Sequence, residues 1–260
     1  MPLASTMKPL FTGLTDPGLL RSVNQDDYYL DPQGRFFIVA DGMGGHAGGQ
    51  EASHIATTAI QSYLNEYWDS DEPSTVLLEQ AFLRANRAIL KDQAKHPERS
   101  DMGTTAVVVL FRDQQSWCAH VGDSRLYRLR GAKLHQVTED HTWVARATKM
   151  GDLTPEQARL HPWRHILSRC LGREDVGQID VQSFDLQVND RLLLCSDGLT
   201  EELPDHLIAF HLKTIRACDR AAATLVGAAK ERGGRDNITV VIVAFEEIPV
   251  ANEMQPDIRS

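Results

Sequence analysis

The sequence predicts an α+β fold whose sheets are largely antiparallel. Three observations predict it. Between residues 104 and 137, apolar segments follow one another with only turns between them, and antiparallel strands need no crossover helix. Two long amphipathic segments follow the first apolar strand as a pair, instead of alternating with strands. No Gly-x-Gly-x-x-Gly opens a helix after a strand, so nothing signals a doubly wound parallel sheet. The nearest run, Gly42-Met-Gly-Gly-His-Ala-Gly-Gly49, differs because an aspartate precedes it.

Each element has its own pattern. Residues 35–40 (RFFIVA) form a short apolar run entering an Asp-Gly turn, so a strand. Over 51–68, Ile55, Ala56, Ala59, Ile60, Tyr63, Leu64 and Tyr67 recur at steps of three and four, which predicts a helix. Ser74 and Thr75 are candidate caps for a second helix, whose apolar face runs Leu78, Phe82, Ala85, Ile89. Strands are expected at 104–111, 116–121 and 125–130, with Gly131-Ala132 turning the chain into 133–137. Thr154-Pro-Glu-Gln157 has the form of a capping box on a short helix that ends before Pro162. Strands at 178–186 and 191–196 are joined across Asn189-Asp190, and Asn tolerates the left-handed turn. An Ala-rich helix over 218–232 closes on Gly233-Gly234, and 237–245 (NITVVIVAF) is the last strand.

The chain has 260 residues, which favours one large domain over two. We expect that domain over 9–247, with loose ends at 1–8 and 248–260. Hydrophobic residues make up 42% and charged residues 24%, a composition that excludes wholesale disorder. The net charge of −9 argues against nucleic-acid binding, which needs a positive face. The longest apolar runs, 106–111 and 240–245, are far too short for a membrane span, and the first twelve residues lack a secretion-signal block. Cys118, Cys170, Cys195 and Cys218 show no metal-knuckle spacing, and reduced thiols in a cytoplasmic protein fit best. The Cys-x5-Arg loop of cysteine-based phosphate chemistry is absent, since Arg125 falls one position too late after Cys118.

The chemistry lies in aspartates at strand ends. Asp41 (IVADGMGGH), Asp123 (AHVGDSR) and Asp197 (LLLCSDGL) each stand beside a glycine. Asp236 begins the last strand, and Asp26 ends Arg21-Ser-Val-Asn-Gln-Asp26. Ionised carboxylates are rarely held at the mouths of buried strands without a partner. Few lysines stand near, so a cation from solution is a reasonable partner. All-oxygen ligation favours Mg²⁺ or Mn²⁺ over Zn²⁺. Gly42 would leave its carbonyl open to a metal, and Arg21 could grip a phosphate. Singly, each motif is weak: Asp-Gly is commonly a turn, and Gly-Asp-Ser-Arg fits a hairpin with a structural salt bridge.

Their conjunction is specific. Arg21-Ser-Val-Asn-Gln-Asp26, Val39-Ala-Asp-Gly-Met-Gly-Gly-His46, Met102-Gly-Thr-Thr105, His120-Val-Gly-Asp-Ser-Arg125, Cys195-Ser-Asp-Gly-Leu199 and Arg235-Asp-Asn-Ile-Thr239 run in this order. The series resembles the metal-dependent serine/threonine protein phosphatases of the type 2C family, in their bacterial form. The resemblance implies a four-layer αββα sandwich, two central antiparallel sheets flanked by helices, with a metal site at one end. It implies two Mn²⁺ or Mg²⁺ ions bridged by Asp41. The Gly42 carbonyl then joins one ion, and Asp197 and Asp236 complete the other. Asp26 matches a carboxylate that holds metal-bound water, and Asp123 the ligand of a third, weaker ion. Arg21 matches the phosphate-binding arginine, and the attack on phosphorus is direct, by metal-bound hydroxide.

Many eukaryotic members of the family carry a histidine after Asp-Gly; Met43 stands there, as the resemblance implies for bacterial relatives. His46 is then the nearest candidate to protonate the leaving oxygen, and metal-bound water is the alternative source. Residues 138–172 match the family's flap. Its His141, Trp143, Arg146, Trp163 and Arg164 are candidate phosphoprotein contacts, against the simpler reading of a solvated helix with an apolar anchor. His161 and His165 have i,i+4 spacing, but Pro162 and the lack of a nearby acidic partner argue against zinc.

The function expected is hydrolysis of phosphoserine and phosphothreonine on proteins, opposing a eukaryote-like serine/threonine kinase. The alternatives are a phosphatase tied to one regulatory partner, and a catalytically weak relative that serves as a phosphoprotein-binding module. The expected partners are phosphorylated proteins, with neither nucleic acid nor membrane, and the expected form is a cytoplasmic monomer.

Overall fold

The computed structural model describes residues 7–45 and 48–247. The first strands are β1 (Met7–Asp16), β2 (Asp26–Leu30) and β3 (Phe36–Met43). Helices α1 (Gly48–Glu66) and α2 (Ser74–Lys95) follow as a pair. Next come β4 (Gly103–Thr104), β5 (Ala106–Arg112), β6 (Gln115–Val121), β7 (Arg125–Arg130) and β8 (Lys133–Gln136). The short helices α3 (Trp143–Met150) and α4 (Pro155–Leu160) lead to β9 (Asp180–Phe184) and β10 (Arg191–Cys195). Helices α5 (Asp197–Thr200), α6 (Asp205–Thr214) and α7 (Cys218–Glu231) precede β11 (Ile238–Glu247).

Two antiparallel sheets result. One has the order β1-β11-β10-β7-β8; the other is β2-β3-β5-β6-β9, with β4 paired to the end of β3. Their central strands are apolar on both faces, because each sheet has two neighbours to pack against. On β3, Phe37 and Val39 face the other sheet; with Val107 and Val109 of the neighbouring β5 they pack against Leu192, Leu194, Val241 and Val243. Phe36 and Ile38 face outward and join Ala56, Ile60, Leu78 and Phe82 of α1 and α2. Leu193, Val240 and Ile242 likewise pack outward against Ile208, Leu212, Leu225 and Ala229 of α6 and α7. Each fully buried side chain of this size contributes about 1.5–3 kcal/mol of transfer free energy. The result is helices, sheet, sheet, helices: the four-layer sandwich expected.

Several expectations shift at their edges. The strand expected at 35–40 runs on through Asp41-Gly42 to Met43, because β4 pairs Thr104 with Gly42. Neither Ser74 nor Thr75 caps α2: Pro73 holds the cap position and no side chain caps there. The Thr154 capping box forms with Gln157, and Asn189 takes φ +68°, the left-handed turn. Met7 and Lys8, expected as loose chain, pair with Glu247 and Glu246. Residues 1–6 and 248–260, also expected to be loose, lie outside the described residues. β1, β2, α3 and α6 carry patterns too irregular to have been assigned from sequence.

Antiparallel pairing gathers one end of each central strand. Asp26 at the start of β2 lies opposite Asp41 in β3. The start of β5 lies beside the end of β6, and the end of β10 beside the starts of β7 and β11. The chain crosses from one sheet to the other between β6 and β7, through Gly122-Asp123-Ser124.

Candidate active site

Asp26, Asp41, Asp123, Asp197 and Asp236 therefore converge from separate segments at one end of the sandwich. The two Asp-Gly dipeptides are glycine for a steric reason. A Cβ on Gly42 would lie 1.9 Å from the Gly49 carbonyl oxygen, and one on Gly198 would lie 2.0 Å from that of Asn237. Backbone passes too close for any other residue.

Hydroxyl groups hold the aspartates. The Ser196 and Thr239 hydroxyls both donate to Asp26 Oδ2 at 2.7 Å. Thr104 Oγ1 donates to the Asp41 carbonyl (2.8 Å), while the Asp41 N–H donates to Thr105 Oγ1 (3.0 Å). Thr105 and Ser124 share a hydrogen bond of 2.7 Å, which ties Asp41 to the turn that carries Asp123. Asn237 Oδ1 accepts from the Gln25 N–H, and its amide donates to the Pro17 and Val23 carbonyls. That side chain organises the loop bearing Arg21. Sequence reasoning missed Ser196, Thr239, Thr105, Ser124 and Asn237. The available signal was a polar residue beside a motif aspartate in an otherwise apolar strand.

The carboxylates raise one another's pKa. Desolvation, then the neighbouring charges of Asp197 and Asp236, push Asp26 up to about 7. Burial and the charge of Asp236 lift Asp197 to about 6. Asp41 stands well above the usual carboxylate range, through desolvation and then Asp26, Asp197, Asp123 and Asp236. Asp123 does likewise, through desolvation, Asp197 and Asp140. Glu201, one turn after Asp197, is pushed to about 7 by burial and Asp197.

The remaining candidates fall at the rim. Arg21 Nη2 donates to Asp236 Oδ2 at 2.7 Å, with 54% of its side chain exposed. His46 lies outside the described residues. Arg125 is engaged structurally, with Asp140 at 2.6 Å and the Tyr127 hydroxyl at 2.7 Å. His161 and His165 do not form a helical pair, because α4 ends at Leu160. His161 packs tilted against Trp143 and edge-on against Trp163, while His165 Nδ1 lies 2.5 Å from Glu201 Oε1. His165 thus has the acidic partner that its sequence neighbourhood lacks. A cavity of about 1430 Å³ runs from Asp123 and Asp197 beneath the flap, past Arg159, Arg164 and Arg235.

The donor set fits a hard divalent cation. Asp26 Oδ1 is buried and has no hydrogen-bond partner, an oxygen whose lone pairs call for a charge. Mutually repelling carboxylates with raised pKa values are stabilised by a cation that replaces their protons. Oxygen ligands throughout suit Mn²⁺ or Mg²⁺.

Known proteins are similar to this chain in sequence and fold. The family model for Protein phosphatase 2C matches residues 21–230. The serine/threonine protein phosphatase PstP of Mycobacterium tuberculosis is 37% identical over 235 residues, covering 89% of this chain. The chain spans 44% of that protein's length. Protein phosphatase PhpP of Streptococcus pneumoniae is 38% identical, covering 90% of this chain and 96% of its own. The PstP catalytic domain solved with two manganese ions superposes with a TM-score of 0.82 at 33% identity, over 93% of this chain and all of that one. With the motifs in order, the sandwich matched and the carboxylates gathered, the chain belongs to the protein phosphatase 2C family.

Proposed function

We propose that the protein hydrolyses phosphoserine and phosphothreonine on other proteins, using divalent cations. The observation that carries this reading is the convergence of Asp26, Asp41, Asp197 and Asp236, with the raised pKa of the first three. In this reading Asp41, the Gly42 carbonyl, Asp197 and Asp236 would hold two ions. Asp26 would position water beside them, and Asp123 would hold a third ion. Such ions, Mn²⁺ or Mg²⁺, place positive charge on phosphoryl oxygens and activate water.

The chain's own groups do the rest. Arg21 is exposed enough to turn from Asp236 toward a phosphate, where its planar fork orients two oxygens. Ser196 and Thr239 hold Asp26 in one rotamer. His46 is assigned the proton for the leaving serine or threonine oxygen. The catalytic domain in this reading spans residues 9–247. Its partners are phosphorylated proteins, including a serine/threonine kinase that it opposes, and it acts as a cytoplasmic monomer. Among the described residues no helix is long and apolar enough to cross a membrane. PhpP and PstP, the latter solved with two manganese ions, support phosphatase chemistry over a pure binding module.

The test is phosphate release from matched phosphothreonine, phosphoserine and phosphotyrosine peptides with Mn²⁺ or Mg²⁺. Release from the first two is expected. A well-folded protein that releases none, with either ion, would move the reading to a phosphoprotein-binding module.

A further inference from the structure

Two histidines and an aspartate sit outside the carboxylate cluster, under the base of the flap. His120, His141 and Asp180 offer ligand atoms within 4.8 Å of one another. Their hydrogen bonds argue against a metal ion. His141 Nδ1 accepts from the Gly122 N–H at 3.1 Å, so the ring proton is on Nε2, which lies 3.2 Å from Asp180 Oδ2. Asp180 already has a counter-charge, with Arg169 at 2.9 Å. His120 Nε2 lies 2.8 Å from the Glu139 carbonyl and so donates to it. Desolvation holds both imidazoles below their usual pKa, which keeps them neutral, and their rings stack at 4.6 Å. This is a hydrogen-bonded relay with a fixed tautomer.

The relay grips one particular turn. Besides accepting from Gly122, His141 donates its own N–H to the Gly122 carbonyl at 3.0 Å. On the other side, a Cβ on Gly122 (φ +104°) would lie 2.5 Å from Thr105 Cγ2. The turn is therefore wedged between Thr105 and His141, and the next residue is Asp123. His141 is also where the flap leaves the sandwich. Its carbonyl accepts from the Ser168 N–H at 2.8 Å, and Thr142 bridges to Leu167.

We propose that His141 is a positioning residue: through Nδ1 it fixes the Gly122–Asp123 turn, and with it the weak cation site assigned to Asp123, while Asp180 sets the tautomer. The inference rests on the phosphatase reading only for the role of Asp123. It makes the base of the flap and the Asp123 carboxylate one mechanical unit.

The two amide isosteres separate the two ring nitrogens. In His141→Asn the side-chain oxygen takes the place of Nδ1 and can still accept from Gly122. In His141→Gln the amide reaches the Nε2 position and keeps Asp180 but loses Gly122. Mn²⁺ binding is measured on the full chain by calorimetry and electron paramagnetic resonance, with no turnover needed. His141→Gln is expected to weaken the weaker site roughly 10- to 100-fold, as loss of an outer-shell partner does, while His141→Asn stays near wild type. Both variants lose one partner of the ring, so melting temperature should fall in both and cannot produce this split. Equal affinity in the two variants, whether retained or lost, would overturn the proposal, as would a wild-type protein with no weaker site. A second readout needs no variant. The Gly122 amide should exchange slowly in the wild-type protein, and exchange at the rate of an open loop contradicts the assignment. Failure of the phosphatase reading would appear separately, as absent turnover in the wild type.

Discussion

Arg21 and Asp236 lie 215 positions apart in the chain and meet in an ion pair of 2.7 Å. The pair joins the loop after β1 to the turn that leads into β11, and places a guanidinium at the edge of the carboxylate cluster. Because it is more than half exposed, Arg21 contributes little to stability. Its value lies in what it can offer a substrate.

Arg21→Ala should therefore leave the fold intact and cut turnover. Losing a charge-assisted hydrogen bond costs about 1.5–3 kcal/mol, so kcat/KM should fall roughly 10- to 150-fold. Arg21→Lys should recover part of this, since a point charge replaces the fork. Steady-state kinetics on a phosphothreonine peptide, with melting curves alongside, check it. Unchanged kcat/KM would remove Arg21 from phosphate binding.

The clustered carboxylates set a pH dependence for the chelated protein. Asp26 and Glu201 stand near 7 in the folded state, against ordinary values of 3.8 and 4.5. A carboxyl with a raised folded pKa stabilises below its unfolded value, and that stability is lost as pH rises through the folded one. The desolvated His120 and His141, held below 6.5, act in the opposite direction, but only below that pH. Asp185, held low by its hydrogen bond from Arg130, is ionised in both states by then. Between pH 6.5 and about 8 the melting temperature of the chelated protein should fall as pH rises. Saturating Mn²⁺ should remove that fall, because the cation replaces the protons. A flat or rising profile without metal would contradict the charge arrangement.

Two glycines should respond in opposite directions. Gly42→Ala forces a Cβ to within 1.9 Å of the Gly49 carbonyl oxygen, where backbone must shift. It should destabilise the protein by roughly 1–3 kcal/mol and abolish turnover. Gly227 lies inside α7, and a Cβ there meets nothing within 4 Å. Gly227→Ala should stabilise by about 0.5–1 kcal/mol without altering turnover. Denaturant melts of both variants decide the matter.

The parts of the site visible in the sequence are those with short-range signatures. Asp41-Gly42 and Asp197-Gly198 are each a carboxylate at a strand end beside a glycine, and both follow apolar runs. The groups that hold these carboxylates are long-range. Ser196 and Thr239 lie 170 and 213 positions from Asp26, and only the folded sheets bring them within 2.7 Å. Met102-Gly-Thr-Thr105 carries no chemistry that is legible locally; its threonines clasp the Asp41 backbone. β1 escaped because Pro9 and Gly13 break its pattern. Proline is tolerated there because β1 is an edge strand, and Gly13 makes room for the Tyr28 ring, 2.3 Å from where a Cβ would stand. His165 illustrates the reverse error: its partner Glu201 comes from α5's far side of the sequence, so no local reading finds it.

In the proposed function, everything turns on Asp41 organising the catalytic cations. The most direct measurement is phosphate release from a phosphothreonine peptide by wild type and Asp41→Asn, each with Mn²⁺ and with excess chelator. Release by the wild type with Mn²⁺ alone is expected, and none by the folded variant under either condition. Release that survives chelation, or that Asp41→Asn retains, would contradict it.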